Sequence, residues 1–319
     1  RWFRMPQKIN FVVNDYERMR RLLLLFTLLC LATSANAQRY NLGFGIKAGA
    51  SNFLGDIGSG DLARDFVYNM ELRDTRWAVG GFSRYRFHPL FAVSASFDWV
   101  RVQGMDANSD NRARLGRNLS FRNDLLHLNA KLEFYPQILS VSDVGYRGRY
   151  RTDYQTYFFA GVGGVFNNPK AEYGGSYVKL RPLMTEGVKY SPIALTFPFG
   201  GGFFFTHKKM HRFGFEYAWN WTMTDYLDDI STSYVDPSQM TSDPLAPVLA
   251  NRYAGFGDVP AGVHYGPGSQ RGDPTDRDNF MTMTISYSYL IRTRGNFYRR
   301  NYSWVYGRRR RWGSTKAKF

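Results

Sequence analysis

The sequence predicts an all-β chain, a transmembrane eight-stranded antiparallel up-and-down β-barrel with long extracellular loops. Three observations carry this expectation. From Met281 to Tyr289 every second residue is large and apolar (Met281, Met283, Ile285, Tyr287, Tyr289), and the residues between are Thr282, Thr284, Ser286 and Ser288. Successive side chains of a strand point to opposite faces, so this segment has one greasy face and one small, wet face, as a strand between lipid and a narrow lumen requires. Aromatic residues make up 17% of the 319 residues, yet the mean hydropathy is −0.41. A barrel reconciles the two, because its apolar surface is only half of each strand. Finally, the connections between candidate strands alternate between short and long, with short turns on one side of the membrane and long loops on the other.

The one long unbroken apolar run, Leu22 to Ala32, is too short to span a bilayer as a helix. With Arg20 and Arg21 before it and Ala35-Asn36-Ala37 after it, it reads as a secretory signal peptide over residues 19–37. Residues 1–18 then read as an upstream extension from an early start, with Met19 the expected start and Gln38 the mature N-terminus. Cys30 is the single cysteine, and Leu29 stands where a lipoprotein signal wants a small residue, so lipidation is not expected. A mature chain without cysteine has neither disulfides nor thiolate-bound metal.

The formal charge of +16 is concentrated at the two ends. Residues 292–319 hold ten Arg or Lys and no acid, and residues 1–37 hold six basic and two acidic side chains, which leaves +2 for residues 38–291. A nearly neutral body with a cationic tail is not a basic protein, and a nucleic-acid partner is not expected.

Residues 38–291 divide into eight candidate strands. The first, Leu42 to Leu54, sets Leu42, Phe44, Ile46, Ala48 and Ala50 against Gly43, Gly45, Lys47 and Gly49. The second, Trp77 to Phe87, sets Arg84 and Arg86 against Tyr85 and Phe87. His88-Pro89 leads to the third, Leu90 to Gln103, in which Phe91, Val93, Ala95, Phe97 and Trp99 alternate with Ala92, Ser94, Ser96 and Asp98. The fourth, Leu125 to Tyr135, places Leu126, Leu128, Ala130, Leu132 and Phe134 opposite His127, Asn129, Lys131 and Glu133. The fifth (Gln155 to Phe166) and sixth (Ile193 to Thr206) are rich in Gly and Phe and alternate less cleanly. After a basic turn, His207 to Met210, the seventh, His211 to Thr224, alternates Phe213, Phe215, Tyr217, Trp219, Trp221 and Met223 with Gly214, Glu216, Ala218, Asn220 and Thr222. The eighth is Met281 to Tyr289. Long loops at 55–74, 104–122, 167–192 and 225–278 lie on one side, and an even strand number returns both termini to the other, the periplasm.

The inward face then carries a lumen charge network of Lys47, Arg84, Arg86, Asp98, Lys131, Glu133 and Glu216. Buried charges need partners, and eight strands leave an interior just wide enough for side chains, so a salt-bridged plug is expected in preference to a proton or ion path. No catalytic constellation is read. The five histidines (His88, His127, His207, His211, His264) are scattered, and neither a G-x-S-x-G nor an H-E-x-x-H motif occurs. His127 is expected to be a hydrogen-bonded lumen residue, and the chain is not expected to be an enzyme or to need a cofactor.

Two loops carry more than solubility demands. Asp225, Tyr226, Asp228 and Asp229 place three carboxylates within five residues. These suit Ca²⁺ by type, but their spacing is not an EF-hand and Asx-turn bonds explain them, so no metal is expected. The second loop is Lys179 to Gly187 followed by Tyr190-Ser191-Pro192. Together with Leu54-Gly55-Asp56-Ile57, Phe197-Pro198-Phe199-Gly200-Gly201-Gly202, Arg271-Gly272 and Asp278-Asn279, these segments resemble the PorG and DUF6089 family, Asp225 to Asp229 most specifically. The resemblance spans most of 42–291. It implies a non-enzymatic outer-membrane barrel of the Bacteroidota type IX secretion system that contacts a periplasmic ring, and it assigns no role to any single residue.

The tail, 292–319, fits a contact role on its own. It interleaves Arg299, Arg300 and the run Arg308, Arg309, Arg310 and Arg311 with Trp304, Tyr306 and Trp312. Arginine and aromatics anchor protein interfaces, and guanidinium groups pair with carboxylates or phosphates. A ring protein or lipoprotein and anionic lipid headgroups are the two partners considered. The expected function is a type IX secretion subunit that anchors or positions a periplasmic ring, with a small porin-like or transport barrel as the alternative. No small-molecule substrate is expected beyond contact with outer-membrane lipid.

Overall fold

The computed structural model describes residues 42–57, 73–88, 90–109, 111–141, 152–207, 210–240, 243–253 and 262–291. The expected signal peptide and upstream extension and the whole cationic tail, residues 292–319, lie outside the described residues. The body is a closed antiparallel barrel of eight long strands: β1 (Leu42–Leu54), β2 (Arg76–Arg86), β3 (Phe91–Met105), β4 (Ser120–Phe134), β5 (Thr152–Phe166), β6 (Ile193–His207), β7 (His211–Thr222) and β8 (Asn279–Ile291). Each strand pairs with the next in sequence, and β8 returns to β1 along its full length, from Leu42 opposite Ile291 to Leu54 opposite Asn279. Closure satisfies every strand edge, the condition for a sheet to cross hydrocarbon.

The greasy faces point outward. Ile285 is 70% exposed, Ile46 69% and Leu128 62%, whereas Thr284, Ser96 and Asn129 on the alternate positions are buried. One end carries the tight turns. His88 and Phe91 exchange backbone hydrogen bonds of 3.1 and 3.2 Å, and Met210 N–H donates to the His207 carbonyl at 3.2 Å. Both chain ends of the barrel, Leu42 and Ile291, lie at this end.

At the opposite end β3 and β4 run past the predicted limits. β4 begins at Ser120, five residues before Leu125, and β3 continues to Met105. The reason is an inversion of polarity. Below this level the outside is apolar and the inside polar. Above it Arg101, Gln103, Arg122 and Asp124 face outward, while Val102, Phe121 and Leu125 face a buried core. A search for apolar residues on the outer face stops where that face turns polar, though the ladder continues. The 167–192 loop likewise contains a hairpin, Lys170–Tyr173 with Ser176–Lys179, which joins β4 through Arg122 opposite Lys170.

The blurred alternation of the sixth strand also has a physical cause. Gly200 and Gly202 occupy inward positions where a Cβ would meet the Phe159 ring at 3.0 Å and the Tyr157 ring at 2.9 Å. Glycine clears the space that β5's aromatics fill.

Candidate functional site: the sealed lumen and its cap

The inward side chains form three layers. Nearest the tight turns, Tyr135, Tyr157, Phe159 and Phe204 pack together. Arg84 bonds Glu133 through Nε at 2.8–2.9 Å, and Tyr135 donates its hydroxyl to the same carboxylate. Arg86 donates to Gln155 Oε1 at 2.7 Å and lies over the Tyr135 ring. Arg212, buried over Phe204 at 4.3 Å, donates to Thr206.

In the middle, Lys131 Nζ meets Glu216 at 2.6 Å, and Lys47 Nζ lies 3.0 Å from Asp98 and 3.6 Å from Glu216. Tyr157 donates to the second Glu216 oxygen at 2.9 Å. His127 is wholly enclosed, with Nε2 2.9 Å from Thr196 Oγ1, Nδ1 3.3 Å from Asn129 and its ring edge-on to Phe280. The seven predicted lumen charges all face inward, and these contacts link six of them to one another by ion pairs. The space left among Lys47, Asp98, His127 and Lys131 is about 10 Å³, at most one water.

The third layer is apolar. Val100, Val102, Phe121, Leu125, Val165, Ala194 and Phe280 converge from the barrel wall, and Leu227 and Ile230 from the 223–278 loop drop among them. The loop therefore stoppers the barrel with hydrocarbon.

Above this stopper the loops fold into one cap. Arg117 is its first post: it grips Asp106 bidentately (2.8 and 2.9 Å), the Arg271 carbonyl at 2.6 Å and the Asp56 carbonyl at 2.7 Å. Arg271, only 3% exposed, is the second. It donates to Glu186 at 2.9 Å, the Asp229 carbonyl at 2.8 Å, Thr185 at 3.2 Å and the Ala250 carbonyl at 3.2 Å. Glu186 in turn receives the backbone N–H groups of Ser231 and Thr232, both at 3.0 Å.

The Asp225–Asp229 motif sits inside this assembly. Asp228 accepts from the Ile57 and Ile230 backbones, and Asp229 from Thr185 and Tyr190 hydroxyls at 2.5 and 2.6 Å. Tyr226 stacks on Tyr190 at 4.6 Å. Asp278 holds the Leu227 N–H at 2.8 Å. Asp228 and Asp278 thus seat the stopper, fixing the backbone at Ile230 and Leu227. Among the described residues no group of three or more His, Cys, Asp or Glu has the geometry of a metal site.

Burial raises the affinity of these carboxyls for protons. It pushes Asp56 up to about 6, Asp225 to about 7 and Asp229 to about 6, the last against the opposing Arg271. Asp228 and Asp278 rise well above the usual range through burial and then through their carboxylate neighbours. The folded cap therefore binds more protons than an open one between the ordinary carboxyl range, about 4, and about 7, and its stability falls as pH rises through that window. Hydrogen exchange at residues 225–232, corrected for intrinsic rate, should show strongest protection near pH 5 and weaker protection toward pH 8. Protection that grows over this interval would contradict the assignment.

Residue patterns alone miss Arg212, Arg117, Arg271 and Asp278 as network members. Arg212 had a signal, since it shares Glu216's parity on β7. The other three lie in or beside loops, where no periodicity announces burial. The predicted contact residues of the tail, Arg299 to Trp312, lie outside the described residues.

Among curated proteins none matches this chain. Two solved structures illustrate what it is similar to. Ail, the attachment invasion locus protein of Yersinia pestis, solved in complex with the heparin analogue sucrose octasulfate, is 10% identical with a TM-score of 0.33, covering 79% of this chain and 99% of Ail. Neisserial surface protein A is 8% identical with a TM-score of 0.33, covering 78% of this chain and 96% of that one. The family model described as a domain of unknown function, DUF6089, matches residues 20–241, and the chain belongs to that family.

Proposed function

We propose that this protein is a non-enzymatic outer-membrane barrel that serves the type IX protein secretion apparatus as a fixed anchor for a periplasmic ring. One observation carries the anchoring part of this reading: the lumen is filled from end to end, by aromatics, ion pairs and an apolar stopper, under a folded cap. Among the described residues the lumen holds no conduit, which supports a role for the surfaces outside it. The exposed apolar belt supports residence in a bilayer. The segments that resemble PorG, Phe197 to Gly202 of β6 apart, lie in the cap and stopper, which supports a shared role. Both barrel ends of the chain leave on the tight-turn side, where a periplasmic location would present the cationic aromatic tail to a ring component.

Cross-linking and co-purification from membranes test the reading, with the full chain and with a chain lacking 292–319. The full chain should bring down ring components and the truncated chain markedly less. If the full chain brings down none, the anchor role fails; if truncation changes nothing, the tail's part in it fails. Planar bilayers containing the protein should stay electrically quiet. Stable single-channel steps would favour a porin-like barrel instead.

A further inference from the structure

Where the barrel wall inverts its polarity, its outer surface carries a cluster of cations that the lumen and cap do not use. Arg101 on β3 stands opposite Asp124 on β4, Gln103 opposite Arg122, and Arg122 opposite Lys170 of the hairpin, with Lys179 beside Lys170. All lie on one outward sheet face. Arg101 and Asp124 are bonded at 2.6 Å, and Lys170 reaches the same carboxylate at 3.7 Å. Four cations share that face with Asp124 and Glu172, so it keeps a surplus of positive charge. The Arg122 guanidinium lies over the Tyr177 ring, 3.7 Å from its centroid, and its buried Nε has no hydrogen-bond partner among the described residues.

One outward row toward the tight turns, about 7 Å along the strands, stand Trp99 and Leu126, which are 45% and 40% exposed. Trp77 packs edge-on to Trp99 at 4.7 Å and lies beneath the Arg101 guanidinium. Arg277 repeats the arrangement over Trp221 elsewhere on the rim. Cations directly above lipid-facing tryptophans sit at headgroup depth, where anionic groups are within reach of their donors.

From this geometry we infer that the face formed by Arg101, Arg122, Lys170 and Lys179 binds the phosphate of a lipid headgroup in the leaflet on the loop side. The inference rests on the membrane-spanning reading. Trp77, Trp99 and Leu126 meet the acyl chains, Arg122 supplies its guanidinium, which no carboxylate pairs with among the described residues, and Arg101 and Lys170 supply charge that Asp124 only partly neutralises. Guanidinium groups pair with phosphate oxygens through parallel N–H donors, which gives the site its preference for phosphate.

The test uses the full chain in detergent, titrated with bisphosphorylated lipid A, with the same lipid dephosphorylated, and with inorganic phosphate, followed by native mass spectrometry. Lipid A should bind saturably, and the other two should bind roughly tenfold more weakly or less. The double variant R122Q/K170Q should lose a similar factor, whereas Asp124→Asn, which removes the competing carboxylate, should bind lipid A more tightly. Equal binding of the dephosphorylated lipid, or wild-type affinity in the double variant, overturns the proposal. Saturation by inorganic phosphate alone would make the face a free-anion site, and displacement of lipid A by a poly-glutamate peptide would make it a protein surface. Flotation on phosphatidylcholine vesicles separates the premise from the inference. Every variant should float like the wild type, and a wild-type chain that fails to float sinks the membrane reading rather than the patch alone.

Discussion

Replacing Glu216 by alanine is expected to lower the unfolding free energy of the barrel by about 3–5 kcal/mol, the usual cost of leaving a buried charge uncompensated. Glu216 is the carboxylate that Lys131 meets among the described residues, at 2.6 Å, and it also lies within 3.6 Å of Lys47. Without it two lysine ammonium groups share Asp98 in the enclosed lumen. Tyr157 loses its acceptor as well. Equilibrium urea unfolding in micelles, read by tryptophan fluorescence, measures the effect. Removing the charges together, in the double variant E216M/K131M, should restore most of the loss, because the penalty belongs to the widowed partner rather than to the missing pair. A single variant within 1 kcal/mol of wild type would mean that the lumen network is solvated and the sealed-barrel description is wrong.

The second large effect is confined to the cap. Arg271→Gln should destabilise the loop assembly by about 3–5 kcal/mol, so that it opens roughly two to four orders of magnitude more often, while the barrel stays folded. Four acceptors depend on this guanidinium, among them the buried Glu186 carboxylate and the Asp229 and Ala250 carbonyls. The Glu186 grip on Ser231 and Thr232 should loosen with it, and Ile230 with its stopper neighbours should leave the barrel mouth. Limited proteolysis should cut within 223–278 far faster than in the wild type, and the tight-turn half should keep its resistance. Unchanged cleavage would show that Arg117 and the apolar stopper alone hold the cap. Global unfolding would show that cap and barrel form one cooperative unit.

The proposal made above has the protein act through its outer surfaces, a reading that the filled lumen supports. In the function proposed above, the exposed apolar belt and the cation rim would fix its depth in the bilayer. The part that Asp228 and Asp229 play in seating the stopper is visible only once the cap is seen, because each is spent on backbone or hydroxyl donors.

Strand number, facing and the lumen charges were legible from residue order because alternation is a property of immediate neighbours along the chain. Lys47, Asp98 and Glu216 declare their direction by parity with Ile46, Phe97 and Phe215, whatever their partners prove to be. Which charges meet is another matter. Lys131 finds Glu216 across 85 positions, Arg117 reaches the Arg271 carbonyl across 154, and Ile57 meets Asp228 across 171. No local pattern encodes such pairings. They exist only when closure brings four loops to one mouth, and there burial, rather than spacing, turns a run of aspartates into the fastening of a stopper.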